Sequence, residues 1–176
     1  MLTFIINFLL FHIFLFFSNS LHLLLYLKSN NGINDEGLSD LGSSLAQCAN
    51  LQNLDIDFSH NQIDDISSFC SFLANCNTIS CLALLFVNNY IQNESMLGLG
   101  TAFASLTNLA NLTLDLNRNK IGVQGVQQLG YTLSECINLK NLILNIRINS
   151  IHQAKKLEIM RNYLKTKRLV ILKTDL

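Results

Sequence analysis

The sequence contains no proline and no tryptophan, and it carries few charges for its length. Charged residues make up 14% of the chain, whereas about 25% is typical of globular proteins. Hydrophobic residues make up 49% of it. A chain of 176 residues with this balance is expected to fold as about one domain with a packed interior.

Sequence motifs of catalysis are also missing. There is no glycine-rich phosphate loop, no nucleophile elbow and no paired-histidine metal motif. The histidines share no recurrent position, and they are His12, His22, His60 and His152. The sequence therefore predicts no catalytic activity, no metal ligand set and no cofactor.

A repeat is the dominant feature of the chain. The pattern Asn-x-Ile recurs at spacings of 30, 28, 30 and 30 residues. Its asparagines are Asn31, Asn61, Asn89, Asn119 and Asn149. A fixed period of roughly 20 to 50 residues is typical of one supersecondary unit stacked on copies of itself.

Each repeat changes its hydrophobic period halfway along. Leu54, Ile56 and Phe58 alternate with polar residues, and this period of two predicts a short strand with one buried face. After Asn119, apolar and small residues recur at steps of four and three, which predicts one face of a helix. These helical positions are Gly125, Leu129, Leu133 and Cys136.

The ladder of apolar residues followed by Asn-x-Ile resembles the leucine-rich repeat, and its length and Cys/Asn positions are similar to the ribonuclease-inhibitor type. Enrichment in Asn, Ile, Phe and Lys makes it similar to the leucine-rich-repeat arrays of ciliates, some of which are joined to protein kinase domains. The resemblance implies an α/β solenoid, or horseshoe, with parallel strands on the concave face and helices on the convex face. It also implies that each repeat asparagine hydrogen-bonds the backbone of neighbouring turns.

The repeats predict the domain organisation. Residues 21–176 form the leucine-rich-repeat domain, with about five repeats and the start of a sixth at Leu169 and Leu172. The first repeat has one extra residue between Leu27 and Ile33, which predicts a bulge or a slipped register. The second repeat is two residues short, and the loss falls in its helical half. The chain is interpreted as a fragment of a larger protein or as an imperfect gene model.

Residues 1–20 form an apolar segment without any charge. A signal peptide is one interpretation, although no basic residue precedes the apolar run. A membrane anchor is another, although the run is at the short end of the spanning range. The third interpretation is an N-terminal cap of the solenoid or a gene-model artefact.

The cysteines favour a reducing compartment. Cys48, Cys76 and Cys136 each precede a strand ladder by three residues, and Leu106 holds the same position in the remaining repeat. A position that accepts Cys or Leu is expected to be a buried apolar slot. The total of five cysteines also argues against a disulfide framework. A cytoplasmic location is favoured, and a membrane-associated or secreted protein is the alternative.

Basic residues concentrate at the C-terminal end. Residues 139–176 hold nine of the twelve Lys and Arg and two of the twelve acidic residues. This asymmetry is interpreted as the solvated face of a last helix, with an anionic partner as the alternative. Only Tyr163 interleaves the basic residues, so binding of single-stranded nucleic acid is not favoured.

The strand residues between the buried positions are predicted to face the concave side. In the repeat register, Leu85 and Val87 form an apolar centre flanked by acids. The predicted protein-binding residues are Asp55, Asp57, Leu85, Val87, Thr113, Asp115, Asn117, Asn145 and Arg147. This arrangement suits a partner segment with a hydrophobic anchor beside a Lys or Arg. Alternatively, these are ordinary solvent-facing residues without a partner.

The predicted function is a protein–protein interaction module that binds its partner on the concave face and has no chemistry of its own. One alternative is the repeat region of a membrane-anchored or secreted receptor, displayed through residues 1–20. Another is a regulatory fragment of a multidomain kinase. The chain itself carries no kinase motif.

Overall fold

The computed structural model describes residues 22–27, 33–150 and 171–175. Within these ranges strands and helices alternate along the chain. The strands are β1 His22–Tyr26, β2 Asn53–Asp57, β3 Cys81–Leu85, β4 Asn111–Asp115, β5 Asn141–Asn145 and β6 Ile171–Asp175. The helices are α1 Asp35–Leu45, α2 Ser67–Leu73, α3 Glu94–Ser105 and α4 Val123–Glu135.

The six described strands form one sheet, in chain order and with every neighbouring pair parallel. Equivalent ladder residues lie side by side, so that Leu54 pairs with Leu82 and Leu82 with Leu112. In β1, Leu23 and Leu25 align with Leu54 and Ile56. The predicted α/β leucine-rich-repeat solenoid is confirmed, and the strand register follows the sequence ladder.

The core lies between the sheet and the helices. Ladder residues such as Ile56, Leu84 and Leu114 are fully buried, and the helices contribute residues such as Leu99 and Leu129. In the second and third repeats the core is aromatic. Phe58 and Phe86 stack with ring centroids 5.0 Å apart, and Phe69 meets Phe58 edge-on at 5.7 Å. Both geometries are favourable for aromatic pairs.

The repeat asparagines form the expected ladder between repeats. Nδ2 of Asn119 donates to the carbonyl oxygens of Phe86 at 2.8 Å and Leu116 at 3.0 Å. Its Oδ1 accepts from the backbone N–H of Ile91 at 3.1 Å. Asn89 makes the same set of bonds one repeat earlier. Each asparagine therefore satisfies backbone groups of two repeats, which a tight turn would otherwise leave unpaired.

The ladder is incomplete at the first repeat. Asn61 keeps its donor bonds to the carbonyls of Leu27 and Phe58. However, its Oδ1 is buried without a hydrogen-bond partner among the described residues, although Ile33 N–H holds the equivalent position in the register. The predicted bulge between Leu27 and Ile33 involves residues 28–32, and Asn31 is among them. Both lie outside the described residues.

In the described part of the chain, a residue in the left-handed backbone conformation precedes each ladder asparagine from Asn61 onwards. His60, Asn88, Arg118 and Ile148 have positive φ angles between 48° and 60°. This left-handed conformation is uncommon for residues other than glycine. The N–H groups of His60 and Asn88 donate to Val87 and Asn117 of the following repeat at 2.8 and 2.9 Å. The bend is therefore held by hydrogen bonds between repeats.

The shortened second repeat loses its residues from the helix, as predicted. Helix α2 has 7 residues, whereas α1, α3 and α4 have 11, 12 and 13. Residues 1–20 lie outside the described residues, and the three interpretations of this segment stay predictions. Within the described ranges, no helix is both long and apolar enough to cross a bilayer.

Candidate functional site

The concave face of the sheet carries four rows of side chains that run across the strands. On strands β1 to β5, the first row is His22, Asn53, Cys81, Asn111 and Asn141, and the central row is Leu24, Asp55, Ala83, Thr113 and Ile143. The third row is Asp57, Leu85, Asp115 and Asn145. The fourth row lies just beyond the strands and is Ser59, Val87, Asn117 and Arg147. Together they contain all nine predicted binding residues.

The aspartates Asp57 and Asp115 of the third row accept hydrogen bonds from the protein's own backbone. Oδ1 of Asp57 accepts from Ser59 N–H at 2.9 Å, and Oδ1 of Asp115 accepts from Asn117 N–H at 2.9 Å. Oδ2 of Asp115 accepts from the Asn145 amide at 3.0 Å, and Asn145 itself accepts from Arg147 N–H at 3.3 Å. Aspartate and asparagine often bind the backbone two residues on in this way.

The expectation of a solvent-facing carboxylate is therefore wrong for Asp57, which is only 1% exposed. Its neighbour in the fourth row, Ser59, is 4% exposed. The physical reason is that a turn N–H at the end of the strand needs an acceptor, and the Asp57 carboxylate supplies it. Alternation along a strand predicts only whether a side chain faces the core or the solvent, so it does not reveal this turn.

The expected apolar centre is also less accessible than the sequence suggested. Leu85 and Val87 are half-buried rather than exposed. Asn117 is half-buried as well, and its Oδ1 is enclosed without a hydrogen-bond partner in the described part of the chain. Arg147 is the exposed member of the fourth row.

A groove lies over the first and central rows instead. It has a volume of about 360 Å³ and spans strands β1 to β4. Its lining is His22, Asn53, Leu54, Asp55, Cys81, Leu82, Ala83, Asn111 and Thr113. Asp55 and Thr113 were predicted binding residues, and the structure brings both to this groove. The others were missed, although the small Ala83 between two polar neighbours was a readable signal for a depression.

Side-chain hydrogen bonds order one wall of the groove. The Asn141 amide donates to Oδ1 of Asn111, and the Asn111 amide donates to Sγ of Cys81 at 3.1 Å. These bonds connect strands β3, β4 and β5 along the first row. The amide orientations on this wall are therefore set before any partner arrives.

Exposed apolar side chains flank the groove within the central row. Leu24 is 45% exposed on β1, and Ile143 is 41% exposed on β5. The concave face thus has a polar centre between apolar flanks. In the third row, Leu85 lies between Asp57 and Asp115, which is the predicted order of an apolar centre between acids.

The cysteines occupy the predicted core slot. Cys76, Leu106 and Cys136 are all buried, and Cys48 is half-buried. Burial raises the pKa of the Cys76 thiol from 9.0 to about 11, with a smaller contribution from Cys48. Burial likewise raises the pKa of Cys70 to about 12, and the charge of Asp65 adds to it. Protonated thiols at these positions pack as small hydrophobic groups.

The described residues contain no group of three or more His, Cys, Asp and Glu side chains placed to hold a metal ion. Asp55 is the acidic residue that lines the groove, and its side chain is half-buried. The groove can therefore bind a ligand through its shape and its hydrogen-bond acceptors, without a metal ion held by the described residues.

No family model matches the sequence, and no curated protein matches it either. Among solved structures, the chain is similar to leiomodin-1 actin-binding site 2, with a TM-score of 0.61 and 15% identity over 90% of this chain and 89% of that one. It also matches an internalin C2 of Listeria monocytogenes with a TM-score of 0.41 and 23% identity, covering 78% of this chain and 55% of that one.

A second Listeria monocytogenes internalin, inlF, matches with a TM-score of 0.38 and 17% identity, covering 90% of this chain and 49% of that one. At these low sequence identities the similarity concerns the fold alone. The match to leiomodin-1, with its TM-score of 0.61, is the one that supports the fold. Together with the parallel sheet and the asparagine ladder, it shows that the chain folds as a leucine-rich-repeat solenoid.

Proposed function

We propose that this protein is an interaction module that binds a partner protein on its concave face and performs no chemistry of its own. The observation that carries this proposal is the concave sheet surface, where an ordered polar groove lies between the exposed side chains of Leu24 and Ile143. Partner-binding surfaces combine apolar anchors with a few positioned polar groups in the same way. The leiomodin-1 chain is described as an actin-binding site, which supports protein binding as a use of this fold.

The dimensions of the face favour an extended segment that crosses the strands. Leu24 and Ile143 lie on β1 and β5, four strand spacings apart. At about 4.8 Å per spacing, they are separated by roughly 19 Å. A segment with apolar side chains near both ends and polar groups between them would complement this row.

Charge favours a basic partner. Residues 33–150 contain ten acidic and four basic residues. An acidic surface attracts cationic partners at long range and raises the rate of association. The basic residues Lys155 and Lys156 and the rest of the predicted C-terminal basic helix lie outside the described residues, and their role stays a prediction.

We further propose that the array is of the ribonuclease-inhibitor-like type, similar to the ciliate arrays. The support is a repeat length of 28 to 30 residues with true α-helices on the convex side, three of them 11 residues or longer. A cytoplasmic location accompanies this proposal, because thiols buried in core slots suit a reducing compartment.

Capture of partners by matched surface variants tests the proposal. The concave pair Leu24→Asp with Ile143→Asp places two charges beside the groove. The convex pair Leu97→Asp with Tyr131→Asp changes side chains that are 49% and 57% exposed on α3 and α4. We expect the concave pair to lose most of the protein captured from an extract of the source cells, because each charge must be desolvated at the interface.

The convex pair is the control, since it makes the same kind of change on the opposite surface. Both variants should keep the circular dichroism spectrum of the native protein. Loss of capture in the convex pair alone would relocate the interface to the helices. Undiminished capture by the concave pair would contradict the proposed function.

A further inference from the structure

Strands β2 to β4 place three aspartates on the concave face, and they differ in what they already bind. Asp57 is buried and accepts from Ser59 N–H. Asp115 accepts from Asn117 N–H through one oxygen and from the Asn145 amide through the other. Asp55 is half-buried at the groove, and among the described residues no hydrogen bond or ion pair reaches its carboxylate. Asp55 is thus the concave acid whose oxygens are available to a ligand.

The surroundings of Asp55 select the charge of that ligand. No Lys or Arg lines the groove, and Asp55 is the acidic residue among its lining residues. A half-buried carboxylate has lost part of its hydration and gains most from a cation that restores its hydrogen bonds. A ligand cation in this groove therefore has both an electrostatic partner and vacant acceptor positions.

The shape of the groove selects a long, flat side chain. Ala83 lies between Asp55 and Thr113 in the central row, and its small side chain forms the low point of the floor. Asp55 and Thr113 are two strand spacings apart, or roughly 10 Å. An aliphatic stem can lie over Ala83 while its head group bonds the Asp55 carboxylate.

We infer that the groove is a binding site for an arginine side chain of the partner protein, with the guanidinium on Asp55 and the aliphatic stem over Ala83. The inference rests on the proposed function and names the chemistry that the groove recognises. The planar guanidinium pairs with a carboxylate through two parallel hydrogen bonds and is less hydrated than an ammonium group.

Binding of a small probe to the whole chain tests this inference directly. The probe is N-acetyl-arginine methylamide, titrated at low ionic strength and followed by amide chemical shifts. The matched probe is N-acetyl-citrulline methylamide, which has nearly the same shape and no charge. We expect the arginine probe to shift resonances of β2, β3 and β4 and to bind at least tenfold more tightly than the citrulline probe.

Two substitutions separate charge from shape. Asp55→Asn removes the carboxylate, and we expect at least tenfold weaker binding of the arginine probe. Ala83→Ile fills the bottom of the groove with a residue suited to a strand. This variant keeps the Asp55 carboxylate, and we expect it to abolish binding of the arginine probe. Asp40→Asn on α1 removes one charge from outside the concave sheet, and its affinity should stay within twofold of the native value.

The outcomes distinguish this inference from the function on which it rests. Equal binding of both probes, or undiminished binding by Asp55→Asn, would overturn the arginine site. If the Leu24/Ile143 pair loses its partner while the arginine probe never binds, the inference fails and the interaction module stands. If the probe binds at Asp55 while the Leu24/Ile143 pair keeps its partner, the groove stands and the proposed interface fails. Unchanged thermal unfolding of each variant serves as the folding control.

Discussion

Two asparagines of the same repeat, Asn117 and Asn119, have different structural roles. Asn119 is 8% exposed and bonds three carbonyl oxygens and one N–H group of the backbone. Asn117, two positions earlier, is half-buried and has a carbonyl oxygen enclosed without a partner in the described part of the chain. Residue type alone does not reveal this difference, whereas position relative to the turn does.

The contrast predicts unequal costs of truncation. Asn119→Ala should lower the free energy of unfolding by about 1–3 kcal/mol, because buried backbone groups lose their partner. Asn117→Ala should change it by about 0.5 kcal/mol or less, since the side chain makes little use of its polar groups. Urea unfolding of both variants is the measurement. Similar midpoints for the two variants would show that the assigned ladder register is wrong.

The left-handed position before each ladder asparagine leads to a second prediction. Ile148 adopts a φ of 48° there and is 65% exposed, so its side chain has strain and little packing to offset it. Ile148→Asn should stabilise the protein by about 1 kcal/mol, because asparagine tolerates this conformation better than a β-branched residue.

The reciprocal change is the control for that prediction. Asn88 has a φ of 56° at the equivalent position. Asn88→Ile should therefore destabilise the protein by about 1 kcal/mol. Thermal unfolding of both variants decides the matter, and stabilisation by Asn88→Ile would rule out backbone strain as the cause.

At the scale of elements, neighbouring repeats are locked at their helix starts and helix faces. Oδ1 of Asn93 accepts from the N–H groups of Gly122 and Gly125 at 2.7 and 3.0 Å, so it caps α4 of the following repeat. Asp35 accepts from the N–H groups of Asp64 and Asp65 in a comparable way. Free N–H groups at helix starts need such acceptors.

The contacts of α3 with α4 on one side and α2 on the other predict opposite effects for two of its glycines. A Cβ at Gly100 would overlap the hydroxyl of Thr132 on α4, so Gly100→Ala should destabilise by about 1–3 kcal/mol. A Cβ at Gly98 would lie 3.8 Å from Cβ of Cys70, an ordinary contact. Gly98→Ala should therefore stabilise by up to about 1 kcal/mol through helix propensity. Calorimetric melting temperatures that move in the same direction would contradict this packing.

At the scale of the whole molecule, the buried thiols couple stability to pH. In the folded state the pKa of Cys70 is raised to about 12 and that of Cys76 to about 11, from an ordinary 9.0. The unfolded chain therefore loses these protons first, and thiol burial stabilises the fold fully below pH 9. This contribution should fall as the pH rises from 9 towards 11.

A double variant isolates the thiols from the other groups that titrate in this range. Cys70→Ala with Cys76→Ala lowers overall stability by leaving cavities, but its stability should decline less steeply between pH 9 and 11 than that of the native protein. Urea unfolding at several pH values provides the comparison. Parallel pH profiles for the two proteins would mean that the thiols do not contribute.

Much of the fold was predictable because its signals are local. The alternation at Leu54, Ile56 and Phe58 and the helical spacing of Leu129 and Leu133 specify one strand–turn–helix unit, and the period specifies stacking. The candidate site was predictable only in part. Asp55 and Thr113 were found, whereas Ala83, Asn111 and the flanking Leu24 and Ile143 were not. Their role depends on neighbours about 30 residues away along the chain.

The sequence by itself determined the repeat unit, the parallel register and the buried face of each strand, because hydrophobic periods of two and 3.6 residues act within a few residues of one another. The tertiary structure alone decided which concave aspartate stays available. Asp57 and Asp115 accept the N–H groups of their own turns, and Asp115 also accepts from Asn145 of the next strand. Asp55 lines the groove beside the small side chain of Ala83 on the adjoining strand. The Asp115–Asn145 bond and the position of Ala83 beside Asp55 do not exist in a single repeat, because both arise when one repeat is stacked on the next.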